Sequence, residues 1–153
     1  MKNYTPLERA WILYDVGNSA FVLLISTIIP IYFNYLAEEA GLSSVTYLAY
    51  WGYAASAATL AVAVIGPVFG AVADTKNYKK KVFLVSVLVG VAGCVAMGVA
   101  ATWLTFLVIF VIARIGYSSS LVFYDSMLHD VTEPERLDDV SSQGYAWGYI
   151  GSC

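Results

Sequence analysis

Three observations predict an all-α integral membrane fold, with four transmembrane helices and the start of a fifth. Long apolar stretches run from Trp11 to Phe33, Val45 to Ala73, Val82 to Ala100 and Trp103 to Phe123, and another begins near Gln143. Each of the four is at or above the roughly 20 residues that cross a ~30 Å hydrocarbon core. Composition agrees, since 59% of residues are hydrophobic, 12% are charged and the mean hydropathy is +0.70, whereas a soluble domain carries about 25% charged residues. The third observation is the placement of basic residues, which fall in alternate loops. Without water in the bilayer core, backbone groups must bond internally, and apolar runs of this length do so only as helices.

The first stretch is too long for a secretory signal and contains Asp15, Asn18 and Pro30, so it reads as a retained first helix. Lys2 and Arg9 precede it, Lys76, Lys79, Lys80 and Lys81 separate the second and third helices, and Arg136 follows the fourth. The loops at 34–44 and 101–102 carry no basic residue. Because Lys and Arg are retained on the cytoplasmic side, the N-terminus and the 74–81 and 124–142 loops are expected inside. Aromatic residues fit this frame, with Trp11, Tyr14 and Tyr124 at the inner interface and Tyr32, Tyr35, Tyr47, Trp51 and Trp103 at the outer one.

Small residues mark helix packing. Gly66 and Gly70 lie on the second helix, Gly90, Cys94 and Gly98 form a four-residue ladder on the third, and Gly144 and Gly148 open the fifth. Pro67 is expected to weaken the end of the second helix and permit a bend. After the fourth helix, Thr132 and Glu135 have capping-box spacing with Pro134 in the first turn, which predicts a short interfacial helix.

The intramembrane polar residues are the candidates for function. Asp15 lies about one turn inside the first stretch and Asn18 follows on the same face. The pair reads either as a substrate or proton-coupling site or as an inner-interface anchor solvated from the cytoplasm. Arg114 lies near the middle of the fourth stretch, where lipid cannot solvate its charge, so it is expected to face a protein interior or cavity and meet an anionic partner. That partner is a substrate or a carboxylate, Asp15 or one on a later helix. Tyr117, Ser118 and Tyr124 continue inward from Arg114.

Other chemistry finds little support. Cys94 and Cys153 have neither metal-ligand spacing nor an obvious disulfide partner, and His129 has no partner at metal spacing. No nucleophile motif, phosphate-binding glycine loop or carboxylate dyad points to an enzyme, and no metal or other cofactor is called for. A formal charge of −3 argues against a nucleic-acid partner.

The segment from Gly70 through Asp74 to Lys79, Lys80 and Lys81, between the second and third helices, resembles the signature loop of the major facilitator superfamily. In that resemblance Gly70, Asp74, Lys79 and Lys80 form a cytoplasmic gate motif. Thr75, Asn77 and Tyr78 depart from it, standing where a basic residue, a glycine and an arginine are common. Helix one, WILYDVGNSAF, and the run FYDSMLHDVTEPERLDDVSSQGYAWGYIG resemble the vacuolar amino-acid effluxer-like branch and its bacterial relatives, although Asp125 stands where asparagine is expected. The resemblance implies a twelve-helix secondary transporter working by alternating access, of which this chain is the N-terminal fragment. It implies membrane lipid, a small polar solute such as an amino acid, a coupling proton and the remaining helices as partners, and the cell (inner) membrane as location. Two other readings compete: a small four-helix multidrug exporter acting as a dimer with Asp15 as its proton carrier, and a non-transporting four-span scaffold.

Overall fold

The computed structural model describes residues 4–73 and 78–151. The elements are α1 (Pro6–Ser26), α2 (Ile28–Glu39), α3 (Ser44–Ala73), α4 (Lys79–Gly98), α5 (Trp103–Val131), a 3-10 turn (Pro134–Arg136) and α6 (Leu137–Gly151). Four helical stretches are long and apolar enough to cross a membrane: Pro6–Glu39, which joins α1 and α2, then Ser44–Ala71, Lys79–Gly98 and Trp103–Val131. Much of their apolar surface is uncovered. Leu60, Val64 and Val68, which share one face of α3, are 67%, 68% and 61% exposed, as a face turned to hydrocarbon requires.

The first span is interrupted at Thr27, and its chemistry explains why. Pro30 has no N–H to offer the Ser26 carbonyl four residues back, and its ring crowds that carbonyl. Just upstream, the Ser26 hydroxyl donates to the Val22 carbonyl at 2.8 Å and the Thr27 hydroxyl to the Leu23 carbonyl at 2.6 Å, a back-bonding that bends helices. Pro67 behaves differently, since α3 continues through it to Ala73. No Ser or Thr lies in the turn before Pro67, so the missing hydrogen bond stands alone. α2 closes in a Schellman turn, with Gly41 at φ 78°, Leu42 N–H bonded to the Ala37 carbonyl and Gly41 N–H to the Glu38 carbonyl.

The chain divides into two compact units, one holding the residues up to Ile29 with those from Tyr124 onward, the other holding Pro30–Phe123. In the second, Phe33 on α2 meets Trp51 on α3 and Phe106 on α5 at ring-centroid distances of 5.4 and 6.1 Å, and Trp51 meets Phe110 at 4.5 Å. Phe33, Phe106 and Phe110 are almost wholly buried. Their large apolar area and offset geometry make this cluster the core of the unit. Tyr47 closes one edge, donating its hydroxyl to Glu38 at 2.9 Å.

α4 and α5 approach closely through small residues, but of the ladder expected from the sequence only Gly90 is buried there. The buried positions of α4 are Ser86, Gly90, Gly93 and Met97, a helical 3.6-residue stripe. A Cβ on Gly93 would stand 2.5 Å from the Ala113 Cβ, and one on Gly116 3.0 Å from the Ser86 carbonyl oxygen. Cys94 is only half-buried, and Gly98, Gly66 and Gly70 meet nothing within 4 Å. The interface turns on Gly93, one residue away from the Gly90, Cys94 and Gly98 repeat.

The interfacial helix expected with Thr132 as its cap is also corrected. α5 runs on past Phe123 to Val131, and the short 3-10 turn starts from Glu133, which makes no side-chain capping bond. The Thr132 hydroxyl instead donates to Glu8 at 2.7 Å. α6 then begins at Leu137, ahead of Gln143.

Candidate functional site

Within the first unit, α1 and α6 lie side by side, and the end of α5 completes the group. The contact starts at the N-terminus of α1. Thr5 and Glu8 form a capping box: the Glu8 N–H donates to the Thr5 hydroxyl oxygen at 3.2 Å, and the Thr5 N–H donates to Glu8 Oε2 at 2.7 Å. Pro6 sits in the first turn, where its missing N–H costs nothing. Glu8 is 1% exposed. Its other oxygen, Oε1, accepts from Thr132 and pairs with Arg136 at 3.1 Å, so the buried carboxylate is saturated. Arg136 also lies over the Tyr4 ring, and the Tyr4 hydroxyl donates to Asp139 at 2.9 Å. That hydrogen bond holds the Tyr4 phenol above its ordinary pKa.

One turn further along α1, Trp11 stacks on Tyr124, and Tyr14 packs against the same ring at 4.8 Å. Beyond this aromatic layer stand the predicted site residues of α1. Asn18 bonds the Asp15 carboxylate, and Asp125 lies close enough for its charge to act on Asp15. The carbonyl oxygen of Asn18 is buried with no hydrogen-bond partner among the described residues. Asp15 and Asn18 are each half-buried.

α6 covers this polar face through its glycines. A Cβ on Gly144 would stand 2.7 Å from a ring carbon of Trp11, one on Gly148 2.7 Å from Asp15 Oδ2, and one on Gly151 2.7 Å from a methyl of Val16. Val140, Gly144 and Gly148 are buried. The close approach that Gly144 and Gly148 announced in the sequence is therefore made, and its partner is the first helix.

In the second unit, Arg114 is half-buried on α5 and makes no ion pair with another described residue of that unit. It follows Phe110 at four-residue spacing, so it continues the face that packs on Trp51. Tyr117 brings its backbone to α4, with its N at 3.6 Å from the Cβ position of Gly90. Of the expected gate motif, Gly70 lies near the end of α3, Lys79 and Lys80 open α4, and Asp74 lies outside the described residues. Three lysines in the first turn of α4 oppose its dipole, and the N-cap Tyr78 supplies no side-chain bond. Among the described residues, no group of three or more His, Cys, Asp or Glu is placed to hold a metal.

Sequence reasoning missed Glu8 and the Gly148 to Asp15 contact. For Glu8 the signal was present, because Thr5-Pro6-Leu7-Glu8 has the capping-box spacing. The Gly148 contact is tertiary and leaves no local mark.

The pattern of the Major Facilitator Superfamily matches residues 16–152. The chain is 38% identical over 155 aligned positions to the uncharacterized MFS-type transporter YxiO of Bacillus subtilis (strain 168), an alignment covering 99% of this chain and 36% of that protein. No solved structure matches. The chain thus spans about a third of the length of the curated relative it matches. Its four spans and this match make it a multi-pass integral membrane protein that belongs to the Major Facilitator Superfamily.

Proposed function

We propose that this chain is the N-terminal portion of a secondary active transporter that moves a small polar solute, an amino acid in the reading its sequence favours, by alternating access. Family membership supports the transporter class, and the relative's printed name, an MFS-type transporter, agrees with it. The cell membrane is the proposed location and efflux the proposed direction, with the N-terminus and the lysines of α4 on the cytoplasmic side, as the basic-loop pattern requires. In this reading the remaining helices of the transporter are partners of this chain.

The observation that carries the reading is Arg114. A guanidinium in the middle of a span, half-buried and with no ion pair to a described residue of its own unit, costs a few kcal/mol unless an anionic group meets it. The carboxylate of an amino acid meets that need, and the planar fork of Arg binds it in a bidentate manner. Asp15, with Asn18 beside it, takes the coupling proton. Tyr117 follows Arg114 along α5 and takes part in solute binding, while Gly70, Asp74, Lys79 and Lys80 serve the cytoplasmic gate. The exporter and scaffold readings have no comparable observation in their favour.

The test is uptake and efflux of a mixture of radiolabelled amino acids by proteoliposomes carrying the intact transporter. Arg114→Ala should abolish flux while the protein still inserts, and Arg114→Lys should retain part of it. Flux at the unmodified level in Arg114→Ala would remove Arg114 from the mechanism.

A further inference from the structure

Resting on the reading of Asp15 as the coupling carboxylate, we infer that Gly148 is its positioning residue: the α6 backbone at Gly148 is the wall against which the Asp15 side chain is seated. A Cβ at residue 148 would stand 2.7 Å from Asp15 Oδ2, 2.9 Å from Ser19 Oγ and 3.4 Å from Asp15 Cγ. Carbon does not approach oxygen that closely without displacing it. Among the described glycines, Gly148 alone has polar side-chain atoms at its Cβ position. Gly144 and Gly151, on the same helix, would meet the Trp11 ring and the methyl and main chain of Val16.

Backbone conformation does not demand glycine here, since Gly41 is the described residue with positive φ. In a helix interior glycine costs up to about 1 kcal/mol relative to alanine. The close approach is what requires it. With residue 148 bare, the α6 main chain excludes lipid and water from one side of the carboxylate. Asn18 and Ser19 on its own helix α1, and Tyr124 and Asp125 at the end of α5, are the other polar groups around it. Those groups are side chains that can rotate, whereas the α6 main chain at Gly148 cannot. A change in the charge or place of the Asp15 carboxylate is felt directly by α6.

Position and transport are read by separate measurements on the intact transporter in proteoliposomes. Dicyclohexylcarbodiimide modifies protonated carboxyl groups in apolar surroundings, and peptide mass spectrometry follows its reaction at Asp15 as a function of pH. Gly148→Ala should move the midpoint of that reaction by at least about half a pH unit, a threefold change in proton affinity, while Gly144→Ala and Gly151→Ala leave it in place. If Gly148→Ala does not reach the membrane, the double variant Gly148→Ala with Ser19→Gly, which returns space beside the new methyl group, is measured instead with the same expectation. An unmoved midpoint in whichever variant inserts, or an equal movement in Gly144→Ala, overturns the assignment. Normal amino-acid flux in Asp15→Asn would instead overturn the role of Asp15 in transport and leave the carbodiimide result standing.

Discussion

Trp11 and Tyr124 each donate a side-chain hydrogen bond to the other's backbone: the Trp11 indole N–H to the Tyr124 carbonyl, and the Tyr124 hydroxyl to the Trp11 carbonyl, both at 3.2 Å. Their rings lie parallel, 4.4 Å apart with 10° between planes. Main chain and side chain of each residue are thus engaged by the other, which fixes the rotation of α1 about its own axis at this level. Asp15 follows Trp11 by four residues on the same face, so the clamp also sets the direction in which the carboxylate points.

Tyr124→Phe should remove one of the two bonds and keep the stack. The Trp11 carbonyl lies within α1 and retains its helical bond, so the loss should be about 1 kcal/mol. Tyr124→Ala, which also deletes a buried ring, should cost about 3–5 kcal/mol. Thermal unfolding of the intact transporter in detergent checks the order, and equal losses in the two variants would show that the stack contributes nothing.

Glu8 and Arg136 form an ion pair of unequal exposure, 2% for the glutamate side chain and 35% for the arginine side chain. Glu8→Ala strands the Thr5 N–H and the Thr132 hydroxyl together with the cation, and should cost about 3–5 kcal/mol. Arg136→Ala leaves a carboxylate still held by two hydrogen bonds, at a cost nearer 1 kcal/mol. Melting temperatures should fall much further in Glu8→Ala, and the reverse order would assign the stability to the cation.

Gly93→Ala forces a methyl group into the Ala113 side chain and should destabilise by about 1–3 kcal/mol. Gly98→Ala meets open space and should be neutral or gain up to about 1 kcal/mol from helix propensity. The double variant Gly93→Ala with Ala113→Gly should recover most of the loss. Equal folded yields of Gly93→Ala and Gly98→Ala would argue that α4 and α5 can separate freely.

Pro30→Ala restores an N–H opposite the Ser26 carbonyl. Hydrogen exchange at residues 27–31 should slow as the helix closes across Thr27. Pro67→Ala, in a helix already continuous, should leave exchange around residue 67 nearly unchanged. Unaltered exchange after Pro30→Ala would place the cause of the break in the Ser26 and Thr27 hydroxyls alone.

The four spans and the helical class were legible because hydrophobic length is a local property that the bilayer enforces. What the sequence left ambiguous was decided by tertiary contacts. Two segments carried capping-box spacing, Thr5 with Glu8 and Thr132 with Glu135, and only the former closes, because the Thr132 hydroxyl is drawn to the Glu8 carboxylate. Two prolines stood inside helical patterns, and only the one preceded by Ser and Thr interrupts its helix. The glycines of the third span suggested a four-residue repeat, yet the packed stripe follows Gly90 to Gly93, since a straight helix turns its face every 3.6 residues. Asp15, Asn18 and Arg114 stood out as polar groups in apolar runs, but nothing local revealed that Gly148 would be the neighbour of Asp15.

The pairing of α1 with α6 also orders the birth of the protein. The indole of Trp11 waits for a carbonyl 113 residues later in the chain, and the carboxylate of Asp15 for a glycine later still. Chains emerge at about 5–20 residues per second, so several seconds separate the insertion of the first span from the arrival of its partner. During that interval Asp15 and Ser19 lack the cover that α6 gives them. Among the described helices, α1 is therefore made well before the partner that packs on it.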